Sequence, residues 1–138
     1  MDRVREDLYV GDSADYRDPD LDEVDVVVNL STVELEVREK LERPVIDIPL
    51  EDGRNELLNF FVAVDTVKSE IQREGTTLLV TCREGVSRSP AVTATALASL
   101  NGSCFSDELE KVEEARPGVN PLPPLVRQCR YYLGEDTD

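Results

Sequence analysis

A cysteine, a glycine, an arginine and a serine stand close together near the middle of the chain. They are Cys82, Gly85, Arg88 and Ser89, within the run CREGVSRSP. The apolar run before the cysteine predicts a strand, and the proline after the serine predicts the first turn of a helix. A loop between a strand and a helix can turn successive backbone N–H groups toward one point, where the helix N-terminus adds positive potential. The four residues are therefore predicted to surround an anion.

The chemistry of these residue types favours a phosphate ester as that anion. A glycine at position 85 allows positive φ or a close backbone approach. The positive potential favours the thiolate of Cys82, which is the nucleophilic form. Arg88 presents two parallel donors that match two phosphoryl oxygens. The pattern predicts a covalent phosphatase; the alternative is an inert, buried Cys82 with Arg88 on the surface of a helix.

The elements that must position these residues follow from hydrophobic periodicity. Short apolar or β-branched runs predict strands at 8–10, 24–30, 44–50 and 76–81. Spacings of three and four predict helices at 57–71, 89–101, from 106 to before Pro117, and after the proline cluster as far as Leu133. Asp52 or Asn55 is the predicted cap of the first helix. The alternation predicts an α/β fold: a single domain, residues 1–138, with a mostly parallel sheet of about four to five strands flanked by helices.

Composition narrows the functional classes. The 138 residues include no histidine, which excludes Ser-His-Asp and Cys-His catalysis and any histidine metal ligand. The net charge of −15 argues against binding nucleic acid or a membrane surface by charge neutralisation. No run reaches the length of a membrane span, and the N-terminus does not resemble a signal peptide. The three cysteines form no C-x-x-C pair, so a reducing cytoplasm is the expected compartment.

The acidic residues are spread along the whole chain, and the basic residues are twelve arginines and three lysines. A dispersed acidic surface that is poor in lysine is typical of a protein kept soluble in a salt-rich cytoplasm. The alternative is a dedicated basic partner.

The run CREGVSRSP resembles the signature loop of the cysteine-dependent protein phosphatases, most closely the compact dual-specificity branch. Segments 8–11, 26–30 and 48–52 and the pair Arg116-Pro117 resemble further parts of that family. The resemblance implies a phosphotyrosine-phosphatase-like fold and a phosphocysteine formed on Cys82. Arg88 and the loop amides would hold the phosphoryl oxygens, and the Ser89 hydroxyl would stabilise the departing thiolate. No metal ion or other cofactor is implied. The phosphate loop carried over in this way comprises Arg83, Glu84, Gly85, Val86, Ser87 and Arg88.

The resemblance also implies a general acid at Asp52. This residue lies 82 − 52 = 30 positions before the cysteine, after an Ile-Pro-x-x-Asp run. Its alternative role is a helix cap or a turn with Gly53. Glu51 and Asp47 are the other candidate acids, although Asp47 falls within a predicted strand.

The chain departs from the family pattern at two positions. The residue before the nucleophile is ordinarily histidine and here is Thr81, and Asn120 precedes a proline where the family's asparagine follows one. Within the loop, Arg83 and Glu84 are candidates either for contact with the substrate or for simple solvation, and solvation is favoured for Glu84. The Ser87 hydroxyl can form a hydrogen bond inside the loop. Cys104 and Cys129 lie in apolar helical patterns and are predicted to be packing thiols.

The predicted activity is hydrolysis of phosphotyrosine, and of phosphoserine and phosphothreonine, in proteins. The short chain predicts a shallow cleft that admits all three. Two alternatives are the same chemistry on RNA 5′ phosphates or phosphoinositides, and a weakly active phosphate-binding module. Sulfur transfer of the rhodanese kind and arsenate reduction also use a cysteine loop, but the proline-started helix after Ser89 favours the phosphatase. The expected partners are phosphorylated proteins, not nucleic acid or membrane, and the expected state is a monomer.

Overall fold

The computed structural model describes residues 1–31 and 42–135, and within these ranges it contains five strands and four α-helices. The strands are β1 (Asp2–Arg5), β2 (Leu8–Gly11), β3 (Val26–Asn29), β4 (Val45–Asp47) and β5 (Leu78–Thr81). The helices are α1 (Leu57–Ile71), α2 (Arg88–Asn101), α3 (Phe105–Ala115) and α4 (Pro123–Tyr132). The strand order is β1-β2-β5-β3-β4, with β1 antiparallel and the other strands parallel. The predicted α/β class is confirmed.

Both faces of the sheet are covered, which explains why its central strands are continuously apolar. Val26 and Val28 of β3 belong to the core that the four helices form on one face. Val27 faces the other way and packs with Tyr16 and Leu21. These two residues come from the 3₁₀ turns Ser13–Arg17 and Pro19–Glu23. In the central strand β5, Leu78 and Val80 join the helical core and Leu79 joins the cluster on the other face, so β5 is also covered on both faces.

Helix α2 lies at the centre of the helical layer. Its residues 88–98 are all buried, and most of them are alanine, serine or threonine. These small side chains let the other helices and the sheet approach closely. Gly102 ends the helix at φ 65°, in the left-handed conformation that glycine adopts without strain. The packing directs the N-terminus of α2 at the end of β5.

The structure corrects three details of the predicted elements. Strand β1 was not predicted because its sequence, DRVR, is short and charged, which is typical of an edge strand. The predicted strands 24–30, 44–50 and 76–81 are shorter than expected, at Val26–Asn29, Val45–Asp47 and Leu78–Thr81. The predicted caps of α1 are wrong, because Glu56 occupies the cap position without a side-chain hydrogen bond. None of the helices in the described ranges has the length and apolarity needed to cross a membrane.

Candidate active site

The signature loop joins the carboxyl end of β5 to the N-terminus of α2. Thr81 ends β5 and pairs with Gly11 on one side and Asn29 on the other, so Cys82 emerges from the middle of the sheet. A cavity of about 450 Å³ opens above the loop. It is lined by residues 82–84 and 86–88, together with Asp52, Asn120 and Leu122. This is the edge of a parallel sheet at which ligands bind in open α/β folds.

The carbonyl oxygens and the N–H groups of the loop backbone differ in their hydrogen bonding. Carbonyl oxygens from position 83 to 87 all accept hydrogen bonds from surrounding elements: from Ser13 N, Arg116 Nη2, Arg116 Nε, Asn120 N and Ala91 N, in that order. By contrast, no backbone N–H from 83 to 89 donates to another residue in the described ranges. Backbone N–H groups without a protein partner need water or a ligand to satisfy them. The loop is therefore built to present its donors to an anion.

Arg116 fastens the outer side of the loop. Its Nε donates to Gly85 O at 2.9 Å and its Nη2 to Glu84 O at 3.2 Å. The same guanidinium forms ion pairs of 2.9 Å with Asp2 and Asp12. Its burial favours the neutral form, but hydrogen bonds to the two carboxylates outweigh this and raise the pKa of Arg116. The cation is thus permanently available to hold the loop carbonyls.

Gly85 satisfies both roles predicted for it. Its φ is 68°, in the left-handed region. A Cβ at this position would lie 2.5 Å from Arg116 Nη2 and 2.8 Å from the carbonyl oxygen of Gly11. The glycine therefore permits both the turn of the loop and its contact with Arg116.

Cys82 is buried at the base of the cavity, with 2% of its surface exposed. Its Sγ lies 3.3 Å from Oγ of Ser89, and the Ser89 hydroxyl also lies 3.3 Å from the carbonyl oxygen of Gly11. Ser89 is fully buried beneath the loop, so its hydroxyl reaches the sulfur from the protein side. Cys82 thus lines the cavity while it also belongs to the buried core cluster beneath the loop.

The other two cysteines lie elsewhere. Cys129 packs in the core, with its sulfur 3.7 Å from Ala91 O, and burial raises its pKa to about 12. Cys104 is partly buried just before α3, and all three cysteines are free thiols. The packing environment predicted for Cys129 is present, and neither of these thiols lines the cavity.

Arg88 connects the loop to the segment that carries the candidate acids. Its side chain is 8% exposed and lines the cavity. Nη1 donates to Leu50 O at 2.9 Å, two residues before Asp52. Its remaining N–H groups donate to no described residue. The guanidinium is thus fixed at one nitrogen and offers the others to the cavity.

The structure separates the three candidate acids. Asp52 is exposed and lines the cavity. Asp47 lies in β4 and accepts a hydrogen bond of 3.0 Å from Asn29 Nδ2. Glu51 does not line the cavity, although its backbone helps to shape the same loop. Among these three carboxylates, Asp52 is the one that faces the nucleophile's cavity.

Asn55 and Gln128 hold the loop around Asp52, a role that the sequence did not predict. The buried side-chain amide of Gln128 accepts from Asn55 N at 2.9 Å and donates to Asn55 O at 2.5 Å. The Asn55 side chain accepts from Glu51 N at 2.7 Å and donates to Glu51 O and Gly53 O. Asn55 is a loop organiser where a helix cap was predicted. The pairing joins positions 73 apart, and no local pattern reveals it.

Three further residues tie the loop to its surroundings. Thr81, which stands where the family has histidine, forms a buried hydrogen bond with the hydroxyl of Tyr16. Asn120 lines the cavity, and its backbone N–H donates to Val86 O at 2.8 Å. The Ser87 hydroxyl accepts from Leu122 N at 3.1 Å, so this hydrogen bond joins the loop to the start of α4. Arg83 and Glu84 are exposed, and both also line the cavity.

The sequence matches the model of a known protein family over most of its length. The sequence model of the family described as "Dual specificity phosphatase, catalytic domain" matches residues 8–133. The chain belongs to this family. The resemblance found in CREGVSRSP is thereby confirmed, and the predicted enzyme class, a cysteine-based phosphatase, is the class of this family.

Relatives and solved structures agree with this assignment. The chain is 28% identical over 95 residues to mouse dual specificity protein phosphatase 19, covering 68% of this chain and 41% of that protein. It is 28% identical over 134 residues to the tyrosine-protein phosphatase vhp-1 of Caenorhabditis elegans, covering 94% of this chain and 20% of that protein. The chain thus spans less than half the length of either relative. The crystal structure of human DUSP28 superposes with a TM-score of 0.81 and 23% identity, over 96% of this chain and 94% of the other, and supports the fold.

Proposed function

We propose that this chain hydrolyses phosphotyrosine, and phosphoserine and phosphothreonine, in proteins through a phosphocysteine at Cys82. One observation carries the proposal. The cavity that contains Cys82 is lined by loop residues whose backbone N–H groups have no partner among the described residues, and by Arg88, which has a single hydrogen bond to a described residue. Donors arranged in this way stabilise the negative charge on phosphoryl oxygens during transfer. Membership of the dual-specificity family supports the same reaction.

In the first step the Cys82 thiolate attacks phosphorus. The S–P bond forms while the bond between phosphorus and the leaving oxygen breaks. Asp52, which lines the cavity, gives its proton to that oxygen, so the leaving group departs as a neutral alcohol or phenol. Arg88 and the loop amides bind the other three oxygens throughout. The product is a phosphocysteine and an ionised Asp52.

In the second step water hydrolyses the phosphocysteine. Asp52 accepts a proton from the water while the oxygen of that water forms a bond to phosphorus and the S–P bond breaks. The sulfur departs as a thiolate beside the Ser89 hydroxyl, 3.3 Å away, which donates a hydrogen bond to it. Inorganic phosphate is released, and the starting protonation of Asp52 and Cys82 is restored.

We also propose that the chain acts as a monomer in a reducing, salt-rich cytoplasm. The unpaired cysteines support the reducing setting, because thiols of this kind persist where disulfides are reduced. The acidic, lysine-poor composition supports the salt-rich setting. Nucleic acid and membrane partners are not part of the proposal, because the net charge of −15 opposes both.

The proposal is tested with Cys82→Ser. We expect the purified wild-type chain to hydrolyse p-nitrophenyl phosphate and a phosphotyrosine peptide without added metal, in low or high salt. Cys82→Ser should abolish both activities and keep vanadate binding, because the loop amides and Arg88 remain. Cys104→Ser is the matched control and should retain activity, since that thiol lies outside the cavity. Hydrolysis that survives in Cys82→Ser, or a wild-type chain inactive on both substrates, would overturn the proposal.

A further inference from the structure

A second cavity lies beside the candidate active site, and we call it the flanking groove. It has a volume of about 530 Å³ and is lined by residues 54–57 on one wall and by Arg127, Gln128 and Tyr131 of α4 on the other. This volume exceeds that of the candidate active-site cavity. The reaction described above uses none of the side chains that point into this groove.

Two exposed apolar side chains line this groove. Within the described ranges, the large hydrophobic residues that remain exposed are Leu57, Leu58, Val62, Leu122 and Tyr131. Leu57 and Tyr131 line the flanking groove and are 45% and 60% exposed. Leu122 lines the candidate active-site cavity, whereas Leu58 and Val62 of α1 line neither cavity. Exposed apolar residues that share a groove indicate a surface that binds a partner.

Arginines stand on both walls of the groove. Arg54 and Arg127 are exposed, and neither forms a hydrogen bond or an ion pair with a described residue. Glu56 is the acidic residue in the lining, so the groove carries a net positive charge in a chain whose net charge is −15. Arginine and aromatic residues are also the types enriched where proteins bind one another. The groove is complementary to a ligand with both a carboxylate and an apolar side chain.

A single loop, the segment that carries Asp52, lies between the flanking groove and the candidate active-site cavity. Asn55 and Gln128 line the groove, and they are the residues that hold the segment carrying Asp52. Asp52 lines the cavity on the other side of that segment. A polypeptide with its phosphoryl group above Cys82 can therefore extend neighbouring residues into the groove. A small phosphate monoester has nothing to place there.

We propose that the flanking groove binds the acidic segment of a phosphoprotein substrate beside its phosphorylated residue. A glutamate or aspartate of that segment lies between Arg54 and Arg127, and an apolar side chain packs on Leu57 and Tyr131. This inference rests on the proposed function and narrows its substrate class. It favours proteins over small phosphate esters.

The test uses phosphotyrosine peptides in which a glutamate and a leucine are moved stepwise along either side of the phosphotyrosine. Matched control peptides carry glutamine in place of the glutamate and serine in place of the leucine. At low ionic strength we expect the wild-type chain to prefer the best acidic peptide by about tenfold in kcat/KM, mostly through KM. Arg127→Glu and Tyr131→Ser should each remove most of this preference. Arg17→Glu and Val62→Ser are matched controls outside the groove and should keep it.

Binding of the same peptides to Cys82→Ser, followed by fluorescence anisotropy, separates this inference from the proposed function. Suppose that the wild-type chain does not hydrolyse the peptides, but Cys82→Ser still binds acidic peptides in an Arg127-dependent manner. This result would overturn the phosphatase proposal and support the proposed role of the groove. Equal affinity for acidic and neutral peptides would overturn the groove, as would a preference that survives Arg127→Glu. Failure of every peptide to bind would overturn it as well.

Discussion

Cys82 and Asp52 reach the same cavity from different kinds of structure. Cys82 follows a central strand covered on both faces, so the sheet fixes its position. Asp52 is exposed on a loop, and its position depends on hydrogen bonds from neighbouring residues. The nucleophile is therefore expected to tolerate little displacement, and the acid is expected to be the adjustable member of the pair.

Asp52→Asn tests the role of the acid. An amide cannot supply the proton, so we expect kcat to fall by about 10²-fold or more for alkyl and poorly acidic aryl phosphates. Substrates whose leaving groups depart readily without a proton should be affected little. The measurement is kcat across a series of aryl phosphates of increasing leaving-group pKa. Glu51→Gln, a neighbouring carboxylate that does not line the cavity, is the control and should retain the wild-type dependence. If Asp52→Asn follows the wild-type series, the assignment of the acid is wrong.

At the scale of elements, the sequence predicts the features that are determined by residues close together in the chain. The apolar run of β5, the glycine of the loop and the proline of α2 are adjacent in the chain, so their geometry follows from them directly. The hydrogen bonds of Gln128 to Asn55 and of Tyr16 to Thr81 join positions 73 and 65 apart. Neither is visible before the chain folds. The nucleophile loop was thus predictable, whereas the residues that hold it and the acid loop were not.

Gln128→Leu tests the element that holds the acid loop. The variant keeps the size of the side chain but leaves both backbone groups of Asn55 without their partner, which costs about 1–3 kcal/mol of stability. We expect a lower melting temperature and a loss of kcat that is larger for poor leaving groups than for good ones. Gln72→Leu, an exposed glutamine at the end of α1, is the control. A loss that is the same for every leaving group would indicate that Gln128 stabilises the fold without positioning Asp52.

For the whole molecule, we expect the net charge to set the salt concentration at which the fold is most stable. The charge of −15 is spread over a small domain, so its carboxylates repel one another in dilute buffer. Salt shortens the Debye length to about 3 Å at 1 M and removes most of this repulsion. Each kcal/mol regained raises the melting temperature of a domain of this size by about 4 °C. We therefore expect the melting temperature to rise by several degrees between dilute buffer and roughly 2 M KCl. As a control, a neutral osmolyte at matched osmolarity should reproduce little of the rise. A melting temperature that stays flat or falls in KCl would show that carboxylate repulsion does not limit the stability of this fold.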